Sequence, residues 1–187
     1  MSQMEFPEGP ESPHRVYTIG HSTQPLDHFI AVLHAHGVTK VADVRTVPRS
    51  RKNPQFNKET LPGELENAGI AYAHLPGLGG LRKPRPDSLN TGWENDSFRA
   101  YADYMQTPEF EEHLRELMRE IDESRNVIAI MCAESVYWRC HRRIIADALS
   151  ARGYSVGHIT GPGKVSAHEM TPWAKVDGEN VTYPGKG

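Results

Sequence analysis

The sequence has few cysteines, no long apolar run and little excess charge, and each shortage excludes a class of protein. Only two cysteines occur in 187 residues, too few for a disulfide-stabilised secreted scaffold. No apolar run approaches the ~18 residues of a membrane-spanning helix, so we expect no membrane association. The formal net charge of -3 excludes a chain that is basic throughout, although basic residues can still cluster locally.

The length and composition are typical of one soluble domain with a tail. A chain of 187 residues that is 37% hydrophobic and 24% charged can bury a sizeable core. Residues 1–14 are acidic and Pro-rich without an apolar segment, so we expect a disordered tail and not an export signal. Residues 15–187 then form a single domain. Without an export signal, we expect a cytoplasmic protein with reduced thiols.

Segments rich in β-branched residues alternate along the chain with segments of helical periodicity. Strands are predicted at 15–20, 38–44, 70–75, 126–132 and 154–159. Helices are predicted at 25–37, 58–69 with an interruption near Pro62, 97–105, 108–124 and 138–153. The C-terminal tail contains a predicted hairpin at 173–184 with an Asp-Gly turn. The pattern predicts an α/β fold: a single open, mostly parallel, Rossmann-like sheet of about five strands flanked by helices.

The segment MCAESVYWRCHRR, residues 131–143, holds both cysteines where the fourth predicted strand meets the last helix. In parallel sheets, ligands bind beyond the carboxyl ends of the strands, and Cys132 should lie at such an end. Cys140 and His141 should lie in the first turn of the helix and face the same space. Arginines and a helix N-terminus lower the pKa of a nearby thiol. The candidate catalytic residues are Cys132 as nucleophile, His21 or His141 as base, and Glu134 as a second acid or base.

A basic loop follows the second strand in the segment DVRTVPRSRKNPQFN, residues 43–57. Arginine binds phosphate or carboxylate through paired hydrogen bonds, so this loop is a candidate for binding an anionic substrate. Asp43 either orients one of the arginines or takes part in proton transfer. The candidate substrate-binding residues are Ser22, Asp43, Arg45, Arg49, Arg51 and Arg142. The alternative is a solvated basic loop beside two ordinary core cysteines.

Three familiar site patterns do not fit this sequence. A cysteine-phosphatase loop requires an arginine at the position that Trp138 occupies, and Arg139 comes one residue late. A structural zinc site takes its ligands in close pairs, and Cys132 and Cys140 do not have that spacing. The Gly-rich segments PGLGG and GPGK match neither the P-loop nor the dinucleotide-binding pattern, so we interpret them as turns.

Several motifs together resemble those of the DUF488 family, a group named for its unknown function. They are YTIGHST (17–23), DVRTVPRSRKNPQFN (43–57), HLPGLGG (74–80), ADYM (102–105), MCAES (131–135), CHRRIIADAL (140–149) and TPWAKV (171–176). The resemblance implies a small α/β fold and supplies no reaction. It implies a site built from His21, Ser22, Arg45, Arg49, Cys132, Glu134, Cys140, His141 and Arg142. The tail departs from the family pattern at Glu169, where we expect a basic residue.

Three functional interpretations remain open from the sequence. The first is a cysteine-dependent hydrolase or transferase acting on an anionic substrate that bears phosphate, such as a nucleotide or a nucleic-acid end. The second is a non-catalytic module that binds nucleotide or nucleic acid, with Phe56, Tyr72 and Trp93 available to stack bases. The third is a metal-binding protein that uses Cys132, Cys140 and His141. The sequence identifies no cofactor and no oligomeric state.

Overall fold

The computed structural model describes residues 14–185. The predicted disordered tail at residues 1–14 therefore lies, except for its last residue, outside the described residues. Within the described range, no helix combines the length and apolarity needed to cross a membrane.

Strands and helices alternate along most of the described chain. The strands are β1 (Arg15–Gly20), β2 (Lys40–Asp43), β3 (Ala71–His74), β4 (Ile128–Cys132), β5 (Ser155–Gly161), β6 (Lys164–Ala167), β7 (Lys175–Asp177) and β8 (Asn180–Thr182). The helices are α1 (Leu26–Ala35), α2 (Leu61–Asn67), α3 (Asp96–Met105), α4 (Pro108–Glu123) and α5 (Arg142–Ala151). Short 3-10 turns lie at Pro54–Phe56, Pro76–Leu78 and Tyr137–Arg139.

The first six strands form one sheet in the order β3-β2-β4-β1-β5-β6. The five strands from β3 to β5 in this order run parallel, and β6 pairs antiparallel with β5. The predicted α/β fold with an open, mostly parallel sheet is confirmed. The sheet has six strands and not five, because the chain turns back at Gly163, where φ is 66°. Strands β7 and β8 pair with each other in the segment where the sequence predicts a hairpin.

Two predicted helices differ from the observed ones at their N-termini. Helix α2 has no interruption, because Pro62 lies in its first turn, where a missing N–H removes no helical hydrogen bond. Helix α5 begins at Arg142, later than the predicted start at 138. The preceding residue, His141, is the N-cap, and Cys140 has an extended backbone with φ of -133° and ψ of 152°. The expectation that Cys140 and His141 lie on the first helical turn is therefore wrong.

Alternate residues of the central strands enter two cores on opposite faces of the sheet. Ile128, Ile130 and Cys132 of β4 pack in the core that contains α3, α4 and α5. Ala129 and Met131 pack in the other core, beside α1 and α2. Because side chains alternate along a strand, this register places the Cys132 thiol on the side of α5.

The carboxyl ends of the central strands lie side by side. Gly20 at the end of β1 is in register with Cys132 at the end of β4, and Asp43 at the end of β2 is in register with Met131. A Cβ atom at Gly20 would lie 1.8 Å from the Glu134 carbonyl oxygen, so only glycine allows this approach. The close approach brings the segment after β1 against the segment after β4.

Candidate functional site

A cleft of about 860 Å³ opens beyond the carboxyl ends of β1, β2 and β4. It brings together all four predicted catalytic residues: His21, Cys132, Glu134 and His141. Of the predicted substrate-binding residues, Ser22, Arg45 and Arg49 line the cleft, whereas Asp43, Arg51 and Arg142 do not. Cys140 and Arg139 also line it. The cleft lies where ligands bind in open parallel sheets.

The two thiols are in direct contact at the floor of this cleft. Cys132 and Cys140 are free cysteines, both buried, with Sγ atoms 2.6 Å apart. His141 Nδ1 lies 3.4 Å from Cys140 Sγ. His141 Nε2 lies 2.9 Å from the Val44 carbonyl oxygen, and because a carbonyl only accepts, Nε2 carries a hydrogen. In the neutral ring, Nδ1 is then the acceptor that faces the Cys140 thiol.

Arg142 approaches the thiol pair from the protein interior. Its side chain is fully buried, and its Nε donates to Cys132 Sγ at 3.0 Å. Its Nη2 donates to the Glu134 carbonyl oxygen at 2.6 Å, and its Nη1 donates to Thr18 Oγ1 at 3.0 Å. Across residues 14–185, no carboxylate lies within ion-pair distance of this guanidinium. Arg142 was a candidate substrate-binding residue, but in the structure it lies behind Cys132 and does not line the cleft.

The thiol pair has two unequal pKa values. Burial raises the pKa of Cys132 well above its usual value, and the hydrogen bond and charge of Cys140 raise it further. Burial opposes ionisation of Cys140 as well, but the hydrogen bond from Cys132 and the charges of His141 and Arg142 lower its pKa well below its usual value. These opposite directions favour ionisation of Cys140 before Cys132.

A chain of buried hydrogen bonds continues from Arg142 away from the cleft. Thr18 Oγ1 lies 2.6 Å from His158 Nδ1, His158 Nε2 lies 2.8 Å from His168 Nδ1, and His168 Nε2 lies 2.7 Å from Asp147 Oδ1. Asp147 is fully buried, and its Oδ2 accepts from the Tyr183 hydroxyl at 2.7 Å. With both imidazoles neutral, every donor faces an acceptor from Arg142 to Asp147. We call these residues, Arg142, Thr18, His158, His168 and Asp147, the buried relay.

The relay places a positive and a negative group at its two ends. Burial, followed by the charges of His168 and Arg142, lowers the pKa of His158 to about 2, so its ring stays neutral. The ring of His158 also stacks on Tyr137, with centroids 3.7 Å apart. A chain of four hydrogen bonds thus joins the Arg142 guanidinium to the Asp147 carboxylate, which it does not contact directly. Sequence reasoning missed Thr18, His158, His168 and Asp147, and the one available signal was a histidine inside the apolar strand YSVGHI.

His21 lies on the opposite side of the thiols and is nearly completely buried. Its Nδ1 donates to the Ser22 carbonyl oxygen at 2.8 Å, and its Nε2 lies 3.3 Å from Arg45 Nη1. Burial lowers its pKa to about 4; the hydrogen bond to the Ser22 carbonyl partly opposes this, and the charge of Arg45 adds to the lowering. His21 is therefore a poor base near neutral pH, and the geometry favours His141 in that role.

Asp43 orients Arg45 below the cleft surface. Arg45 Nε and Nη2 donate to the two Asp43 carboxylate oxygens at 2.9 and 2.7 Å, and Nη2 also donates to the Phe56 carbonyl oxygen. The Tyr72 hydroxyl donates to Asp43 at 2.5 Å, and burial together with Asp43 raises the pKa of that hydroxyl. The remaining nitrogen of Arg45, Nη1, faces His21 at the cleft. Asp43 thus supports a cationic group at a fixed position.

The other predicted polar residues lie in more exposed positions. Arg49 is 70% exposed and pairs with Glu59 at 3.1 Å. Glu134 is exposed, and its carboxylate accepts from the backbone N–H of Val136 at 3.3 Å. Arg139 is exposed at the cleft, while Arg51 is exposed outside it. The cationic groups at the cleft are therefore Arg45, Arg49 and Arg139.

The predicted metal alternative has no ligand set within residues 14–185. No group of three or more His, Cys, Asp or Glu side chains there is arranged to hold a metal ion. His141, the third ligand of that hypothesis, directs Nε2 to a backbone carbonyl and presents Nδ1 to Cys140. The two cysteine sulfurs contact each other, Cys140 also contacts His141, and Cys132 also contacts Arg142.

Comparison with known proteins gives one match. A family model described as a domain of unknown function, DUF488, matches residues 25–149, which is more than half of the chain. No curated protein and no solved structure matches the sequence. The matched residues include Arg45, both cysteines and Arg142, but end before His158 and His168 of the buried relay. The chain therefore belongs to the DUF488 family, and membership assigns it no reaction.

Proposed function

We propose that this protein is a cysteine-dependent enzyme whose thiolate attacks a small anionic substrate bound in the cleft. The observation that carries the proposal is the contact between the Cys132–Cys140 pair and the buried Arg142. A buried guanidinium without a carboxylate partner costs several kcal/mol, and a thiolate beside it offsets that cost. The arrangement stabilises one negative charge on the thiol pair, and a thiolate is the nucleophilic form of cysteine.

Cys140 is the better candidate for the attacking sulfur, although the sequence favoured Cys132. Cys140 is 7% exposed and Cys132 2% exposed, and both line the cleft. Cys140 also has the lowered pKa and the contact with His141 Nδ1. His141 can accept the thiol proton on Nδ1 and return it to a leaving group. Cys132 then acts as the hydrogen-bond donor that supports the Cys140 thiolate.

Three arginines at the cleft support an anionic substrate. Arg45 is held by Asp43, Arg49 is exposed and pairs with Glu59 at the surface, and Arg139 is exposed. The cleft volume of about 860 Å³ falls within the range of small-molecule sites. A carboxylate- or phosphate-bearing molecule up to the size of a nucleotide fits these features.

The burial of the aromatic residues weighs against the non-catalytic binding module. Phe56 and Trp93 are buried, and Tyr72 donates its hydroxyl to Asp43. Stacking of bases requires an exposed ring face, which Phe56 and Trp93 do not offer. The expectation that they stack on bases is therefore wrong. The cleft with its thiolate is the stronger basis for function.

Alkylation with two reagents that differ in charge tests the proposal. Anionic iodoacetate and neutral iodoacetamide both modify thiolates, and mass spectrometry assigns the rate to each cysteine. We expect Cys140 to react near neutral pH and to prefer iodoacetate more than a cysteine-containing peptide does. Replacing Arg139 by Gln should reduce this preference severalfold, while Arg51→Gln, an equal charge change outside the cleft, should leave it unchanged. Equal effects of the two variants, or thiols that react only after unfolding, would contradict the proposal.

A further inference from the structure

We propose that the Cys132–Cys140 pair is a dithiol–disulfide centre that reduces small anionic disulfides. In this activity, Cys140 attacks the substrate and Cys132 resolves the covalent intermediate. The inference rests on the proposed function, because it uses the same nucleophile and the same cleft. It adds the reaction type, a two-electron reduction, and the substrate class.

The mutual position of the two sulfurs is the first support. The Sγ atoms lie 2.6 Å apart with no atom between them, although the residues are eight positions apart in the chain. A covalent intermediate formed on one sulfur therefore lies next to the second sulfur. Thiol–disulfide exchange proceeds through such a mixed disulfide, so a second thiol in contact makes the resolving step intramolecular.

The surroundings assign different roles to the two thiols. Cys140 is the more exposed of the two and contacts His141 Nδ1, which suits the sulfur that meets the substrate. Cys132 lies deeper, where Arg142 Nε donates to its Sγ at 3.0 Å. After the first step, the Cys140 thiolate charge is gone, and Arg142 then favours ionisation of Cys132. The same guanidinium therefore supports both successive thiolates.

The two steps balance in atoms, charge and electrons. The Cys140 thiolate attacks one sulfur of the substrate R–S–S–R, forming a Cys140–S–S–R bond and releasing R–S⁻. Cys132 transfers its proton to His141 or solvent and attacks Cys140 Sγ. This attack breaks the mixed disulfide and releases the second R–S⁻. The proton lost by Cys132 protonates one of the two R–S⁻ products to give R–SH. The substrate gains two electrons, and the pair loses two as it becomes a disulfide. Turnover requires re-reduction of the pair by a dithiol or by two low-molecular-weight thiols.

The lining of the cleft specifies the charge of the substrate. Arg45, Arg49 and Arg139 line the same cleft as the thiol pair, against one carboxylate, Glu134, and guanidinium binds carboxylate through paired hydrogen bonds. The apolar side chains of Val47 and Leu81 also line the cleft and are largely exposed. A disulfide that carries a carboxylate or phosphate on a partly apolar body matches this combination.

The probe for the test is dithiobis-nitrobenzoate, an aromatic disulfide that carries a carboxylate on each ring. The full chain is reduced, desalted and mixed with the probe, and both thionitrobenzoate release and intact protein mass are followed. We expect release of two thionitrobenzoate anions per chain and a protein that has lost two hydrogens without gaining an adduct. Adding a dithiol should restore the starting mass and allow repeated turnover.

Two cysteine variants separate the steps. Cys132→Ser should release one thionitrobenzoate and retain a stable adduct on Cys140, because no thiol remains to resolve it. Cys140→Ser should react much more slowly, because Cys132 is only 2% exposed and meets the probe less readily. Thermal unfolding curves verify that each variant is folded. The neutral reagent dipyridyl disulfide serves as the uncharged comparison. Arg139→Gln should reduce the rate preference for the anionic probe over this reagent, and Arg51→Gln should not.

The outcomes separate failure of this inference from failure of the proposed function. A folded wild-type chain that keeps a stable adduct on Cys140 would refute the resolving role of Cys132 and leave the nucleophilic thiolate intact. A folded chain whose thiols stay inert toward the probe, while unfolding exposes both, would overturn both proposals. Equal rates with the anionic and neutral disulfides would refute the substrate class alone.

Discussion

Arg142 donates its Nε–H to Cys132 Sγ at 3.0 Å from a position in which its side chain is fully buried. The thiol pair lies on one side of this guanidinium, and on the other side four successive hydrogen bonds lead to the Asp147 carboxylate. The stability of the protein and the ionisation of its cysteines are therefore expected to depend on the same residue.

Replacement of Arg142 by Met should both destabilise the fold and raise the pKa of the Cys140 thiol. The substitution leaves Thr18 and the Glu134 carbonyl without their donor, and we expect a loss of about 2–4 kcal/mol in the free energy of unfolding. Urea denaturation measures the first effect and pH-dependent alkylation the second. Arg142→Lys retains the charge and should restore part of the thiolate reactivity. An alkylation profile in Arg142→Met that matches the wild-type profile would show that Arg142 does not stabilise the thiolate.

Replacement of Cys132 by Ala should slow alkylation of Cys140 at neutral pH. The variant loses the hydrogen bond that Cys132 donates to the Cys140 thiolate, so the pKa of Cys140 rises. A rise of one unit reduces the thiolate fraction about tenfold when the pKa lies above the experimental pH. Cys132→Ser keeps a hydrogen-bond donor and serves as the matched control. Faster alkylation of Cys140 in Cys132→Ala than in Cys132→Ser would contradict the assigned donor.

Replacement of Asp147 by Asn should disrupt the buried relay at its anionic end. The amide places an N–H group where His168, Tyr183 or the Thr171 N–H now donates, so we expect a loss of about 2–4 kcal/mol in stability. Tyr183→Phe removes one hydrogen bond only and should cost about 1 kcal/mol. The readout that separates the relay from simple packing is the alkylation profile of Cys140, which Asp147→Asn should shift and Tyr183→Phe should leave nearly unchanged.

The free energy of unfolding should fall as the pH is lowered from 6.5 to 4. The folded-state pKa of His21 is about 4 and its ordinary value is 6.5, so the unfolded chain binds the proton first in this window. The stabilisation from a neutral His21 is complete above pH 6.5 and is lost progressively toward pH 4, by at most roughly 3 kcal/mol.

A pair of histidine variants isolates this effect in urea denaturation. His21→Gln should reduce the slope between pH 6.5 and 4, and the slope that remains is expected from His158, whose pKa is also lowered. His28→Gln removes a histidine that is exposed on α1 and should reproduce the wild-type slope. Identical slopes in wild type and His21→Gln would show that another group carries the acid sensitivity.

The elements with strong periodicity could be predicted from the sequence. β1 begins and ends at the predicted residues, and α4 differs from its prediction by one residue, because each combines a clear apolar pattern with a boundary residue. The prediction failed at residues 138–141, which continue the helical pattern of the sequence but precede the observed helix. The 3-10 turn at Tyr137–Arg139 and the extended Cys140 are decided by contacts with other segments.

The buried relay could not be predicted from the sequence, because it also depends on contacts between separate segments. Thr18, Arg142, His158 and His168 are remote in the chain and become neighbours only because β5 pairs with β1 and α5 packs across them. Their residue types carry no spacing rule that predicts such a contact. Asp43 contacts Arg45, one of the two roles that the sequence suggested for it, whereas Arg142, a candidate substrate-binding residue, is buried against Cys132.

The sequence by itself determined the alternation of strands and helices and hence a site at the carboxyl ends of the parallel strands. It also predicted Cys132, Arg45 and His21 near that edge, because each ends or directly follows a predicted strand, and Cys140 near it at the start of the following helix. Only the tertiary structure decided that the two sulfurs touch, that a buried arginine faces them and that a chain of hydrogen bonds joins this arginine to Asp147. These are distances between segments remote in sequence, and they follow from strand order and packing, which periodicity does not encode.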